Sequence, residues 1–184
     1  MIGNHDIAET VEEYLDRHPG DKPGLGPLMD ALSGPESLAT RKRLAGHVTC
    51  GAVVLNQDGK VLHIWHRALD RLLLPGGHTE PDDATLTEAA IRELTEETGL
   101  DPQYLAAIGE GPLHIDVHRI PDSPSKGEPE HWHADFRYTF AYTGTTDLTL
   151  QEEEVSDALW VPIDEIADRT LRARAEETAL SLQR

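Results

Sequence analysis

The chain has 184 residues, 38% hydrophobic and 27% charged, which is enough apolar material for one packed domain and argues against disorder. Sixteen basic residues against 34 acidic ones leave a formal charge of −18. That excludes the basic track by which a nucleic-acid polymer or an anionic membrane is bound, and an anionic substrate would need a cation from outside the sequence. Residues 5–18 place Ile7, Val11, Tyr14 and Leu15 at helical spacing, with Asn4 or Asp6 as caps. This opening lacks the basic and apolar regions of a secretory signal, so a cytoplasmic protein is expected. The Gly/Pro-rich stretch 18–27 reads as a turn or linker and 36–45 as a short helix, making residues 1–45 a helical N-terminal extension. From residue 46 the texture changes. The run 47–55 predicts a strand, 56–59 a hairpin turn and 60–66 a second strand. Cys50 is the single cysteine, so neither a disulfide within the chain nor a four-cysteine zinc site can form. After the short apolar run 72–77, residues 84–100 predict a helix that starts near Asp82 or Asp83 and stops at Gly99. Strands at 112–120 and 131–142 follow, then a strand at 158–162 and helices near 163–168 and 172–183. Strands, a central helix and more strands predict an α+β or mixed α/β layer fold.

Glu93, Glu96 and Glu97 stand at i, i+3 and i+4 of the central helix, within about a 100° arc of one face. Thr87, Ala90, Ile91 and Leu94 cover the neighbouring, core-facing arc. Three like charges in the last turns repel one another and oppose the helix dipole, so capping does not explain them. Convergent carboxylate oxygens suit Mg²⁺ or Mn²⁺. The plainer reading is a solvated acidic face.

The surrounding string decides between the two. GGHTEPDDATLTEAAIRELTEETGL, residues 76–100, resembles the Nudix box, and its second half, Arg92 through Leu100, matches at every fixed position. If Gly77 is the box glycine, the spaced acid is Asp83, and eight residues rather than seven separate it from Arg92. With VSDALWVP at 155–162, which is similar to a common Nudix ending, the resemblance covers about residues 47–168. It implies a Nudix-type α/β/α sandwich over 46–184 and an enzyme that hydrolyses a phosphoanhydride, water attacking phosphorus, in a nucleoside diphosphate-linked or related small molecule. It further implies Mg²⁺ or Mn²⁺ held by Glu93, Glu96 and Glu97 with a backbone carbonyl at Gly76 or Gly77. Arg92 would fix a box carboxylate, and the catalytic base would be Glu93, Glu96 or, on a later loop, Glu154. The expected partner is a small phosphorylated substrate rather than a nucleic-acid polymer or a membrane, and a homodimer is left open.

Two strands carry a second pattern. His114, Asp116 and His118 alternate with apolar residues, as do His131, His133, Asp135 and Arg137, so each set shares one strand face. Paired, the strands would gather a polar patch. It would form a substrate wall beside the box helix, with Arg137 as an anion clamp and a His133–Asp135 hydrogen bond raising the imidazole pKa toward neutrality. Alternatively the patch binds a second metal, or only faces solvent. His78, after the glycines, is a further candidate for substrate contact. His131-x-His133-x-Asp135 also resembles the opening of the metallo-β-lactamase motif, although Phe136 stands where its next histidine belongs. A Nudix-fold binding module without catalysis is the remaining alternative, and the intact box carboxylates argue against it.

Overall fold

The strand β1, Gly46–Leu55, is buried along its whole length and organises the sheet around it. The computed structural model of the protein describes every residue except 68, 125–126, 146, 152, 154 and 183–184. β1 runs parallel to β7 (His131–Tyr142), in a register that sets His47 beside His133 and Thr49 beside Asp135. β2 (Lys60–His66) follows β1 through the expected hairpin, antiparallel with Leu55 opposite Val61, and also pairs with β3 (Arg71–Leu73) and β8 (Val155–Pro162). The short β4 (Gly76–His78) joins β1 opposite Thr49–Gly51. The long β7 is shared by β6 (His114–Ile120) at its start and by β5 (Leu105–Ile108) at its end. β5 has no counterpart in the sequence reading, because LAAI is too short and too plain to signal a strand.

Residue parity sorts the layers. Cys50, Ala52, Val54, Ala134, Phe136, Tyr138 and Phe140 share one sheet face, and α3 (Leu86–Thr98) buries Leu86, Ala89, Ala90 and Leu94 against it. On the other face α4 (Arg169–Leu182) packs Leu171 and Ala175 against Val53, Leu55 and Val61. Helices cover both faces, giving an α/β/α sandwich.

The N-terminal residues belong to the same core. α1 (Asn4–Arg17) buries Ile7, Val11 and Tyr14, and the α2 helix (Gly26–Leu32) adds Leu28. Gly3 rather than Asn4 or Asp6 is the cap residue of α1, and its N–H donates to Asp6 Oδ2 at 2.8 Å. The linker expected at 18–27 is instead a 3₁₀ helix, Pro19–Leu25, followed directly by α2. The helix expected at 36–45 does not form. The Asn4 side chain holds that segment by donating to Glu36 O and accepting from Leu38 N, while Leu38 is fully buried. Long-range bonding there outweighs local helix propensity.

Candidate functional site

Helix α3 starts where Thr85 Oγ1 accepts the Glu88 N–H at 3.1 Å, not at Asp82 or Asp83. It ends at Gly99, whose φ of 68° is a left-handed stop that glycine adopts without strain. Between these ends the three glutamates differ in setting. Glu97 is buried, 3% exposed, and accepts the Gly76 N–H at 2.8 Å through Oε2. Glu93 lies against Gly77 so closely that a β-carbon there would come within 2.6 Å of its carboxyl carbon. The Glu96 side chain is about half exposed. Two consecutive glycines are therefore needed: Gly77 makes room for Glu93, and Gly76 approaches β1 so closely that a β-carbon would sit 2.4 Å from Cys50 O.

Arg92 holds the cluster together. Its Nη1 donates to Glu93 Oε1 at 3.1 Å and Glu96 Oε2 at 3.0 Å, and its Nη2 reaches His78 O at 2.8 Å. The other edge of the guanidinium binds Asp83 in two-pronged fashion, at 3.0 and 3.1 Å. Asp83 was expected near the helix cap; the structure buries it to 6% beneath Arg92. Burial opposes its charge, but the hydrogen bonds from Arg92 and from Glu80 N outweigh that and hold its carboxyl below the usual range. The extra residue before Arg92 is thus absorbed in the loop, and the acid still reaches the arginine. Glu93, Glu96, Glu97 and the Gly76–Gly77 backbone offer only oxygen atoms on a short, rigid frame, a donor set that fits a hard divalent cation. Glu154 lies outside the described residues.

The polar strand face forms as the alternation predicts. β6 and β7 pair His114 with Arg137, Asp116 with Asp135 and His118 with His133. This face is the one away from α3, so the sheet stands between the patch and the box helix. The link between them is β4: Gly77 faces Glu93, and the next residue, His78, pairs with Thr49 on the polar side.

Two expectations about the patch need correction. Arg137 is not a free clamp, because its guanidinium donates to Asp135 at 2.8 Å, Asp116 at 3.0 Å and Asp168 at 3.2 Å. Nor does Asp135 bond His133; it accepts from Arg137 and from Thr49 Oγ1 at 3.1 Å. Burial, reinforced by the neighbouring histidines, pushes the His133 pKa down to about 2 rather than up. Asp116 is held at about 2, chiefly by His118, whose Nδ1 lies 3.0 Å away, and by Arg137 against the cost of burial. Sequence reasoning missed Asp168 and His47. Asp168 caps α4, its Oδ1 accepting from Thr170 N and Leu171 N, a local signal that says nothing of Arg137, whereas His47 shares its strand parity with Thr49 and could have been found by that alternation.

A model of the NUDIX domain matches residues 46–182. The chain belongs to the Nudix family. A putative mutator protein, MutT4, of Mycobacterium tuberculosis is 30% identical over 186 residues, covering 95% of this chain and 70% of that protein. A probable DHNTP pyrophosphohydrolase of Lactococcus lactis subsp. cremoris is 33% identical over 110 residues, 60% of this chain and 59% of the relative. Among solved structures, a NUDIX-family hydrolase from Clostridium perfringens superposes with a TM-score of 0.56 at 24% identity, covering 75% of this chain and 98% of that one. A C. elegans Ap4A hydrolase gives 0.55 at 15% identity over 74% and 97% of the two chains. These likenesses establish the Nudix fold. They also set aside the metallo-β-lactamase reading, as does Asp135, which turns to Arg137 and Thr49 instead of the histidines.

Proposed function

We propose that this Nudix protein is a metal-dependent pyrophosphohydrolase acting on a small phosphorylated molecule, with Glu93, Glu96 and Glu97 and the Gly77 carbonyl as the Mg²⁺ or Mn²⁺ site. The observation that carries this reading is the convergence of Glu93 and Glu97 on the Gly76–Gly77 backbone, braced by an arginine that four acceptor residues orient. Relatives named as pyrophosphohydrolases support the same bond type. Divalent cations bound there would neutralise the anhydride oxygens and acidify the attacking water. Glu93 and Glu97 keep their oxygens pointed at the glycine turn, and Arg92 keeps Glu93 and Glu96 in place. The proton of the attacking water passes to a carboxylate: Glu93, Glu96 or Glu154. The polar face lies across the sheet from these glutamates and meets the box only at β4, so the part of the substrate beyond the phosphates would have to reach it round that edge. His114, Asp116, His118, Asp135 and Arg137 are its wall, and His78 and His133 stand where it meets β4. The charge of −18 favours a small substrate over a nucleic-acid polymer. Among the described residues no helix is long and apolar enough to cross a membrane, in keeping with the proposed cytoplasmic site.

The test is a panel of nucleotide sugars, dinucleotides, ADP-ribose and dNTPs incubated with the protein and Mg²⁺, scored by release of a phosphorylated product. On the best substrate Glu97→Gln should lose about 10²-fold or more in turnover, together with Mg²⁺ affinity. Turnover close to the parent would remove Glu97 from the ligand set. Glu154→Gln, measured alongside, assigns the base to the later loop if activity falls while Mg²⁺ binding holds. If neither falls, the role returns to Glu93 or Glu96.

A further inference from the structure

The polar face ends in a cluster of histidines, of which His78 and His133 also border the proposed substrate wall and His47 does not. β1 contributes His47, β4 contributes His78 and β7 contributes His133, with His47 and His133 directly paired in register. One nitrogen from each of the three rings lies within 4.8 Å of the others. The ring centroids of His47 are 5.0 Å from His78 and 4.6 Å from His133, and His131 lies 5.0 Å from His133.

We propose that His47, His78 and His133 form a second cation site, taking a late first-row transition ion of the Zn²⁺ class, on the sheet face opposite the Nudix glutamates. Tautomers support it. His47 Nδ1 is 3.1 Å from Arg43 O, and a carbonyl only accepts, so Nδ1 carries the hydrogen and Nε2 presents a bare lone pair. That Nε2 is buried without a hydrogen-bond partner in a residue only 3% exposed, an uncompensated lone pair that a cation would satisfy. His131 is fixed the same way, Nδ1 at 2.8 Å from Pro129 O, so its Nε2 accepts from His133 Nε2 at 3.1 Å. His133 therefore keeps its own lone pair on Nδ1. Imidazoles whose far nitrogen donates to a backbone carbonyl are the usual support of metal-ligating histidines.

The remaining physics agrees. Burial holds His47 and His133 below the ordinary imidazole range, so no proton need be displaced before a cation binds. Tetrahedral zinc at 2.0–2.1 Å places its nitrogens about 3.3 Å apart, which small side-chain rotations can reach from the separations here. Nitrogen donors select Zn²⁺ over Mg²⁺, and the all-oxygen box does the reverse, so the two sites take different ions. A cation on these residues would clamp β4 to β1 and β7, steadying the Gly76–Gly77 turn from behind. The inference is independent of the hydrolytic reading, because binding of the ion is measured without substrate.

The experiment is a titration of the full chain with Zn²⁺ against a competing chromophoric chelator, with Mg²⁺ in large excess to fill the carboxylate box, followed by Co²⁺ as a spectroscopic probe. One equivalent of Zn²⁺ should bind, and Co²⁺ should give the intense visible bands of a tetrahedral nitrogen site. His133→Ala and His78→Ala should each weaken Zn²⁺ by about 100-fold or more, whereas the Glu93→Gln, Glu97→Gln double variant should bind it as the parent does. Should His133→Ala fail to fold, His78→Ala on the short, only partly buried β4 and the Co²⁺ spectrum of the parent still decide the matter. No bound equivalent, a weak octahedral Co²⁺ spectrum, or Zn²⁺ lost by the glutamate variant and kept by the histidine variants would each overturn the site.

Discussion

At Gly76 and Gly77 the same absence of a side chain serves two different ends. Gly77→Ala would push a β-carbon to 2.6–2.7 Å from the Glu93 carboxyl group, which can swing aside because it ends a flexible side chain. The expected outcome is a folded protein with weakened Mg²⁺ affinity and turnover lower by about 10-fold or more. Gly76→Ala meets the Cys50 carbonyl at 2.4 Å, with a φ of 154°, and a backbone atom cannot yield in that way. That variant should lose about 2 kcal/mol or more of stability, seen in denaturant unfolding, because β4 must part from β1. Equal effects from the two substitutions would contradict the roles given to them. Asp116 carries a second expectation at this scale. Its folded pKa of about 2 lies below its unfolded value near 3.8, so its contribution to stability is present above pH 3.8 and is lost as pH falls toward 2. Asp116→Asn should flatten the fall of melting temperature across that window, and an unchanged slope would show that His118 and Arg137 do not hold it.

In helix α3 Arg92 offsets the acidic cluster, pairing with Glu93 and Glu96 while Asp83 anchors its other edge. Added Mg²⁺ should raise the melting temperature by mass action on the native state. Changing Glu93 and Glu97 together to Gln should abolish the increment while leaving the metal-free melting temperature within a few degrees of the parent. A large metal-free loss would instead make those glutamates structural partners of the arginine. The strands β6 and β7 show how far a single element can be read. Period-two alternation placed His114, Asp116, His118, His133, Asp135 and Arg137 on one face correctly, because side-chain direction along a strand is a local property. It could not show that three aspartates would occupy Arg137, since Asp168 arrives from a loop 31 residues away.

For the molecule as a whole, the N-terminal residues are joined to the C-terminal helix. Tyr14, fully buried, hydrogen-bonds Asp21, and Arg174 donates to the Tyr14 hydroxyl at 2.6 Å and to Asp21 at 2.8 Å. Burial and the bond to Asp21 push the Tyr14 pKa up to about 12. Tyr14→Phe should cost about 1–2 kcal/mol in denaturant unfolding, since it strips one partner from a buried network. A neutral result would mean that this junction is held by apolar packing alone. The family, the box helix, the glycine turn and the paired polar strands were all legible in the order of residues. Each depends on a contiguous motif or on a short-range period that the backbone geometry imposes. The cap at Thr85, the unwound segment 36–45, the burial of Asp83 under Arg92, and the low pKa of His133 were not legible. All of these are set by groups distant in the chain. Desolvation and hydrogen bonding act through space, and only packing the sheet between its helices brings the partners within reach of one another.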